Sequence, residues 1–305
     1  MNMYQLKNLL LSTFFLSFLL TNACAQQADE KSIISNDAKL EKLGDGYAFT
    51  EGPAIDKDGN VYFTDQPNNK IYKWSTDGEI TLFTDESGRS NGMFFNKEGK
   101  LVTCADMDNQ IWVFDMDGNH EVILEDYGDN LLNGPNDLWI DPKGGIYFTD
   151  PLYKRNYWTR DTVMQQDGQH VYYISPDKKE ITRVDENLVK PNGIIGTPDG
   201  KKLYVADIWD KKTYVYDIKS DGSLSNRKLF TTMGSDGMTI DNKGNIYLTG
   251  DGVTVFDKNG KQIAHIPIEK TWTANVCFGG TDRDMLFITA TKVVYGLKMN
   301  VKGVY

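Results

Sequence analysis

The sequence predicts an all-β protein, a six-bladed β-propeller with a central channel. A short motif, a turn followed by a strand of β-branched and aromatic residues, recurs six times at intervals of about 40 to 55 residues. Each interval has room for about four short strands, the number in a propeller blade. The 28 glycines and the aromatic fraction of 12% are typical of short strands joined by tight turns.

The six copies of the motif follow one another along the chain. They cover residues 58–65, 99–106, 144–150, 199–207, 244–250 and 284–290. A second strand-like run follows each copy, which indicates a meander of antiparallel strands. The last copy ends close to Tyr305, so we expect residues 39–43 near the N-terminus to complete its blade as the outer strand. One closed domain over residues 38–305 follows.

The charge of the chain argues against nucleic acid as a partner, and its cysteines argue against a zinc site. The formal charge is −10, from 43 acidic and 33 basic residues. Because a surface of that sign repels phosphate backbones, we expect a small-molecule substrate and no nucleic acid partner. Cys104 and Cys277 stand in apolar, strand-like contexts and are predicted to be buried free thiols. The sequence has no Cys/His spacing of a zinc site.

Residues 1–25 are predicted to be an export signal. Lys7 precedes the apolar stretch 9–20, which is too short to span a membrane. Residues 23–25 fit ordinary signal-peptidase cleavage, whereas residues 20–24 fit a lipobox in which Cys24 is lipidated, and both readings stay open. The protein is therefore expected to be periplasmic, outer-membrane-anchored or secreted, with a lipid at Cys24 as its one membrane contact. Residues 26–37 are expected to be a linker.

One oxygen-bearing polar residue precedes the turn of every copy, by about eight residues. The six are Glu51, Asn91, Asn136, Asn192, Asp236 and Asn275. If the repeat marks the blade, they begin the innermost strands and converge on the propeller axis at one face. The alternative is that Asn and Asp merely start turns at these positions.

The ring formed by these six residues has the donor atoms of a divalent-cation site. Two carboxylates and four carboxamides offer hard oxygens, and two anions neutralise one dication. We expect one Ca²⁺ at the channel mouth, with Mg²⁺, Zn²⁺ or Mn²⁺ as alternatives.

Four motifs together resemble the SMP-30/gluconolactonase family, a six-bladed group that includes diisopropylfluorophosphatase and bacterial lactonases. They lie at residues 51–53, 134–137, 191–193 and 235–238, and the resemblance covers about residues 45–300. It implies a cation-dependent hydrolase of a small lactone or ester. The implied metal ligands are Glu51, Asn136, Asn192 and Asp236. It also implies that Asp236 acts as the base or the nucleophile, while the cation polarises the carbonyl.

The chain departs from the family at one position. Some members carry an arginine two residues before the third-blade asparagine, where it contacts a sugar acid, but here that residue is Gly134. A preference for aldonolactones is therefore left open. Two alternatives also stay open: a non-catalytic sugar- or protein-binding propeller with a structural ion, and a same-fold sugar dehydratase or organophosphate hydrolase.

The third blade carries a long insertion, residues 151–169, which is predicted to be a lid over the channel mouth. The alternative is a surface loop that packs on its neighbour. The expected substrate-binding residues are Asn91, Asn275, Arg89, Tyr153, Trp158, Trp209 and Trp272. The three histidines, His120, His170 and His265, are predicted to be structural.

Overall fold

The computed structural model describes residues 33–270 and 272–305. The predicted signal peptide with Cys24, and residues 26–32 of the predicted linker, lie outside the described residues. The described chain forms six four-stranded antiparallel sheets and one two-stranded hairpin. None of its helices has the length and apolar character needed to cross a membrane.

The first three blades follow in sequence order. Blade 1 contains β2 (Thr50–Ile55), β3 (Val61–Asp65), β4 (Lys70–Trp74) and β5 (Ile80–Thr84). Blade 2 contains β6 (Met93–Phe95), β7 (Leu101–Ala105), β8 (Gln110–Phe114) and β9 (His120–Leu124). The hairpin β10 (Asp126–Tyr127) and β11 (Asn130–Leu131) comes next. Blade 3 contains β12 (Leu138–Ile140), β13 (Ile146–Asp150), β14 (His170–Ile174) and β15 (Ile181–Asp185).

The last three blades repeat this arrangement. Blade 4 contains β16 (Pro191–Gly196), β17 (Lys202–Asp207), β18 (Lys212–Ile218) and β19 (Leu224–Thr231). Blade 5 contains β20 (Met238–Ile240), β21 (Ile246–Gly250), β22 (Gly252–Phe256) and β23 (Gln262–Ile266). Blade 6 contains β24 (Asn275–Gly279), β25 (Met285–Ala290), β26 (Val293–Lys298) and, as its outer strand, β1 (Glu41–Asp45).

Pairing between the two ends of the chain closes the ring. Strand β1 runs antiparallel to β26, with Glu41 opposite Gly296 and Asp45 opposite Val293. The strand begins at Glu41, two residues after the start of the expected segment 39–43, and ends two residues beyond it. The innermost strands contact one another in the order β2, β6, β12, β16, β20 and β24, and β24 contacts β2 again. The six-bladed propeller predicted from the repeat is confirmed.

An aspartate side chain accepts hydrogen bonds from the backbone of the turn in blades 1, 3, 4 and 5, and Asn96 does so in blade 2. In blade 3, Asp141 Oδ1 accepts hydrogen bonds from the backbone N–H groups of Lys143 and Gly145. Gly144, with φ +96°, occupies a conformation that favours glycine. Since this turn joins the first and second strands of the blade, it lies at the face opposite to the ring.

The hydrophobic core lies between the blades. Large aromatic side chains such as Trp139, Tyr147 and Phe63 are fully buried there. Cys104 and Cys277 are buried and unpaired, as predicted.

Candidate active site

The six ring residues lie at the starts of the innermost strands. Glu51, Asn192 and Asn275 are in the first or second position of β2, β16 and β24. The other three, Asn91, Asn136 and Asp236, stand two residues before β6, β12 and β20. Irregular pairing follows Thr50–Glu51 in β2 and Pro191 in β16, as at a β-bulge. Such bulges turn a side chain away from the regular alternation of the strand.

Glycines after the ring residues allow neighbouring blades to meet. A Cβ on Gly52 would lie 1.9 Å from the carbonyl oxygen of Asn91, and one on Gly193 would lie 2.7 Å from that of Asp236. Equivalent approaches join Gly92 to Asn136 and Gly237 to Asn275. Each glycine therefore abuts the ring residue of the next blade, which explains the Asx-Gly pairs of the sequence. The ring residues are neighbours around one axis.

Hydrogen bonds tie Asp236 to its surroundings. Asn192 Nδ2 donates to Asp236 Oδ1 at 2.8 Å, and Trp272 Nε1 donates to Asp236 Oδ2 at 2.5 Å. Asn192 Nδ2 also donates to the hydroxyl of Tyr153 at 2.8 Å. The amide oxygen of Asn192 is buried and accepts no hydrogen bond within the described chain. This oxygen is free for a ligand that the protein itself does not supply.

The two ring carboxylates repel each other in a buried setting. Burial raises the pKa of Glu51, and the negative charge of Asp236 raises it further. Burial also raises the pKa of Asp236, although the hydrogen bond from Trp272 lowers it. A positive charge between the two carboxylates would relieve this repulsion.

The donor set fits a hard dication. Two carboxylates and the free oxygen of Asn192 lie in the same ring as Asn136, which is 4% exposed. No three His, Cys, Asp or Glu side chains cluster as a metal site within residues 33–270 and 272–305, so any ion here depends on carboxamides as well. Oxygen ligands without thiolates or imidazoles suit Ca²⁺ better than Zn²⁺.

The insertion between β13 and β14, residues 151–169, reaches the ring. Its Tyr153 bonds Asn192, and its Arg155 lies over the Tyr153 ring at 4.7 Å from the centroid. The buried carboxylate of Asp106 lies 3.6 Å from Arg155 Nε and 3.7 Å from Arg160 Nη2. Ionic contacts with Asp106 therefore join this segment, hereafter the lid, to the blade 2 side of the mouth.

The other predicted substrate-binding residues lie in different places. Trp272 contacts Asp236, as described, while Asn91 and Asn275 are buried in the ring. Trp158 instead stacks under the guanidinium of Arg160, with 3.6 Å between guanidinium carbon and ring centroid. Arg89 lies 4.7 Å from the ring centroid of Tyr157 and donates to the carbonyl of Pro67. Trp158 and Arg89 thus support the lid rather than the ring.

Two further residues at the site escaped the sequence reasoning. Asp137 stands where four other blades have glycine after the ring residue, and that exception was the available signal. Burial raises the pKa of Asp137 to about 8, although hydrogen bonds from Leu138 N–H and the Asn275 side chain lower it. Lys190 precedes the Pro-Asn-Gly motif and is buried beside Tyr153. A lysine at the end of a loop carries no sequence signal of burial.

The central channel continues beneath the ring as a cavity of about 440 Å³. Its lining includes Asp137 and Asn275 at the ring end, and Lys57, Lys97 and Tyr305 toward the opposite face. The hydroxyl of Tyr305 donates to the Gly196 carbonyl at 2.6 Å and accepts from Trp139 Nε1. The C-terminal residue therefore lies along the lower channel wall.

The histidines make structural contacts away from the ring. His120 stacks on Trp112 with centroids 3.8 Å apart, and His265 Nδ1 lies 3.1 Å from the Thr254 hydroxyl. His170 Nε2 lies 3.0 Å from Asp167 Oδ1 in the lid. These contacts agree with the structural role expected for all three.

Residues 49–292 match the family profile described as SMP-30/Gluconolactonase/LRE-like region. A protein named gluconolactonase from Zymomonas mobilis is 27% identical over 89% of this chain and 84% of its own length. Lactonase drp35 from Staphylococcus saprophyticus is 32% identical over 71% of this chain and 68% of its own. A solved structure described as a gluconolactonase from Xanthomonas campestris superposes with a TM-score of 0.83 at 27% identity, covering 88% of this chain and 92% of that one.

The match of the family profile covers most of the propeller, and each blade contributes one residue to the ring. The chain belongs to the SMP-30/gluconolactonase/LRE-like family.

Proposed function

We propose that this protein is a divalent-cation-dependent hydrolase of small lactones or esters. The observation that carries the proposal is the buried carboxylate of Glu51 and the partly exposed carboxylate of Asp236, beside the free amide oxygen of Asn192 at a lid-covered channel mouth. Relatives named gluconolactonase and lactonase support the same reaction class.

We propose Ca²⁺ as the cation, held by Glu51, Asn136, Asn192 and Asp236. When bound, it would stabilise the negative charge that develops on the carbonyl oxygen of the substrate. The hard-oxygen donor set supports Ca²⁺ over softer metals.

Asp236 is the proposed base or nucleophile. It is partly exposed whereas Glu51 is buried, so a substrate at the mouth can reach Asp236 and not Glu51. The hydrogen bonds from Asn192 and Trp272 fix the orientation of its carboxylate. A water molecule or an ester carbon beside Asp236 would therefore meet an oriented oxygen.

A non-catalytic propeller with a structural ion is the second candidate. It would be favoured if both carboxylates were covered by protein. The partial exposure of Asp236 speaks for catalysis instead.

The test is hydrolysis of a panel of aldonolactones, homoserine lactones and aryl esters, at millimolar Ca²⁺ and after chelation. We expect activity that chelation abolishes and Ca²⁺ restores. Asp236→Asn should lower kcat by about a thousandfold or more while the melting temperature in the presence of Ca²⁺ stays close to that of wild type. Exposed Lys201→Met serves as the control. Inert wild-type protein, or a fully active Asp236→Asn variant, would contradict the proposal.

We also propose that the protein is exported and acts on a small molecule rather than on nucleic acid. The mass of the mature N-terminus would distinguish cleavage after Ala25 from lipidation at Cys24. A full-length, cytoplasmic product would contradict export.

A further inference from the structure

Lys190 is a buried cation without a counter-ion in the described chain. It is 6% exposed, and its ammonium nitrogen lies 4.2 Å from the ring centroid of Tyr153 and 4.1 Å from that of Trp209. Among residues 33–270 and 272–305, no carboxylate forms an ion pair with this nitrogen; burial and then the positive charge of Arg155 lower the pKa of Lys190. Buried lysines are ordinarily paired with a carboxylate, so we expect an anion from outside the chain to bind beside Lys190.

Arg155 approaches the same tyrosine. Its guanidinium carbon lies 4.7 Å from the Tyr153 centroid, and its buried Nε makes no hydrogen bond. The nearest carboxylate, Asp106, is 3.6 Å from Nε and is shared with Arg160 at 3.7 Å. Two arginines therefore share this one carboxylate.

A cation in the ring would leave this side of the mouth positively charged. Arg155 now interacts with the negative charges of Glu51 and Asp236. A dication held by these two carboxylates would cancel their charge. Arg155 would then keep only the Asp106 carboxylate that it shares with Arg160, and Lys190 would have no carboxylate partner. Such a pair of cations would bind an anionic group of a ligand. The planar guanidinium of Arg155 can donate two parallel hydrogen bonds to that group.

Tyr153 connects this cation pair to the ring. Its hydroxyl accepts from Asn192, while Lys190 and Arg155 pack near its aromatic ring. The backbone of Lys190 is held by its N–H, which donates to Asp207 Oδ1 at 2.9 Å. The two cations thus contact the aromatic ring of a tyrosine whose hydroxyl is bonded to Asn192, the partner of Asp236. A small substrate could place its carbonyl at the ring and an anionic group at the cations.

We propose that Lys190 and Arg155 form an anion-binding subsite, and that the substrate is a lactone or ester carrying a carboxylate or phosphate group. This inference rests on the proposed hydrolase function. It assigns specificity to the lid and to the loop before β16, whereas the reaction itself belongs to the ring.

The kinetic test compares glucono-1,5-lactone, which is neutral, with 6-phosphoglucono-1,5-lactone and with glucaro-1,4-lactone, which carries a carboxylate. We expect wild type to favour at least one anionic lactone. Lys190→Met and Arg155→Met should each lower the ratio of anionic to neutral kcat/KM by about tenfold, the effect of one charge-assisted hydrogen bond. Lys201→Met, at an exposed lysine, should leave the ratio unchanged. A preference for only one of the two anions identifies the group that the subsite binds.

A binding measurement separates failure of this inference from failure of the proposed function. Calorimetry with glucarate, 6-phosphogluconate and neutral glucitol requires no turnover. We expect an anion to bind wild type about tenfold more tightly than it binds Lys190→Met, and glucitol to bind both alike. Unchanged ratios in both variants together with equal anion affinities would overturn the subsite, even if the protein hydrolyses lactones. An inert protein with the expected anion affinities would instead overturn only the hydrolase.

Discussion

Blades 2 and 3 use the same repeat position in different ways. In blade 3, Asp150 at the end of β13 accepts hydrogen bonds from the backbone N–H groups of Asn133 and Gly134, both at 2.9 Å. In blade 2, the equivalent Asp106 accepts no such bond among the described residues. Its carboxylate accepts from Gln66 Nε2 at 2.9 Å and faces the two lid arginines.

Blade 3 follows the common pattern. Asp65 of blade 1 accepts from the backbone of residues 48 and 49, and Asp207 of blade 4 from residues 189 and 190. The repeat therefore places an aspartate at the same point of these blades, but the hydrogen-bond partners of its carboxylate differ between blades. In blade 2 the aspartate that elsewhere shapes the loop before the first strand instead holds the lid.

The largest effect on stability is expected from Asp150→Ala. The change leaves two buried N–H groups without an acceptor in the loop that positions Asn136. We expect the free energy of unfolding to fall by about 3 kcal/mol. Urea unfolding followed by tryptophan fluorescence measures it. A loss of unfolding free energy smaller than that of Asp106→Ala would contradict the different roles assigned to the two aspartates.

Gly134→Ala tests where the two blades meet. A Cβ at Gly134, whose φ is +148°, would lie 2.4 Å from Asp106 Oδ1 and 2.9 Å from Arg160 Nη2. We expect a loss of about 2 kcal/mol in unfolding free energy from strain and overpacking. In a double-mutant cycle, Asp106→Ala should relieve part of this loss. Additive losses would show that the contact with Asp106 is not the cause.

Asp106→Ala should lower the unfolding free energy by only about 1 kcal/mol, because it removes one direct hydrogen bond, from Gln66 Nε2, and leaves no backbone N–H without its acceptor. Arg160 Nη2 also donates to the Asn133 carbonyl at 2.7 Å, so it keeps a partner. We expect the main effect in the lid, as faster hydrogen exchange of residues 151–169. Asp150→Ala serves as the matched comparison, and equal lid exchange in both variants would contradict the assignment.

The smallest effect is a pH dependence of the lid. Burial raises the pKa of Asp106 to about 6 from the ordinary 3.8, although Arg155 and Arg160 lower it. Because the folded-state pKa is raised, this carboxyl contributes stability at low pH, and the contribution is lost as the pH rises through about 6. Opening of the lid exposes this carboxyl to water and lowers its pKa toward 3.8, so protonation favours the closed lid, and lid exchange, corrected for intrinsic rates, should be slower at pH 5 than at pH 7.5. Asp106→Asn should abolish that difference.

The features that recur in every blade could be predicted from the sequence. Six blades and the positions of Glu51, Asn192 and Asp236 follow from a spacing that the inner strands reproduce. The contacts of the lid do not follow from it, since they depend on how one insertion folds back. Trp158, which is expected at the substrate, packs on Arg160 within the lid. The position of Lys190 depends on Tyr153 of the folded lid and on Trp209, so the sequence does not reveal its burial.

The closure of blade 6 also affects how the protein unfolds. A row of blades with a free end could lose strands from that end one sheet at a time. Here both ends of the ring meet in a single antiparallel pair, residues 41–45 against 293–296. The survival time of the native state under heat or proteolysis should therefore depend on how often this seam opens. A covalent cross-link between β1 and β26 should slow unfolding without changing the rate of folding to the same degree.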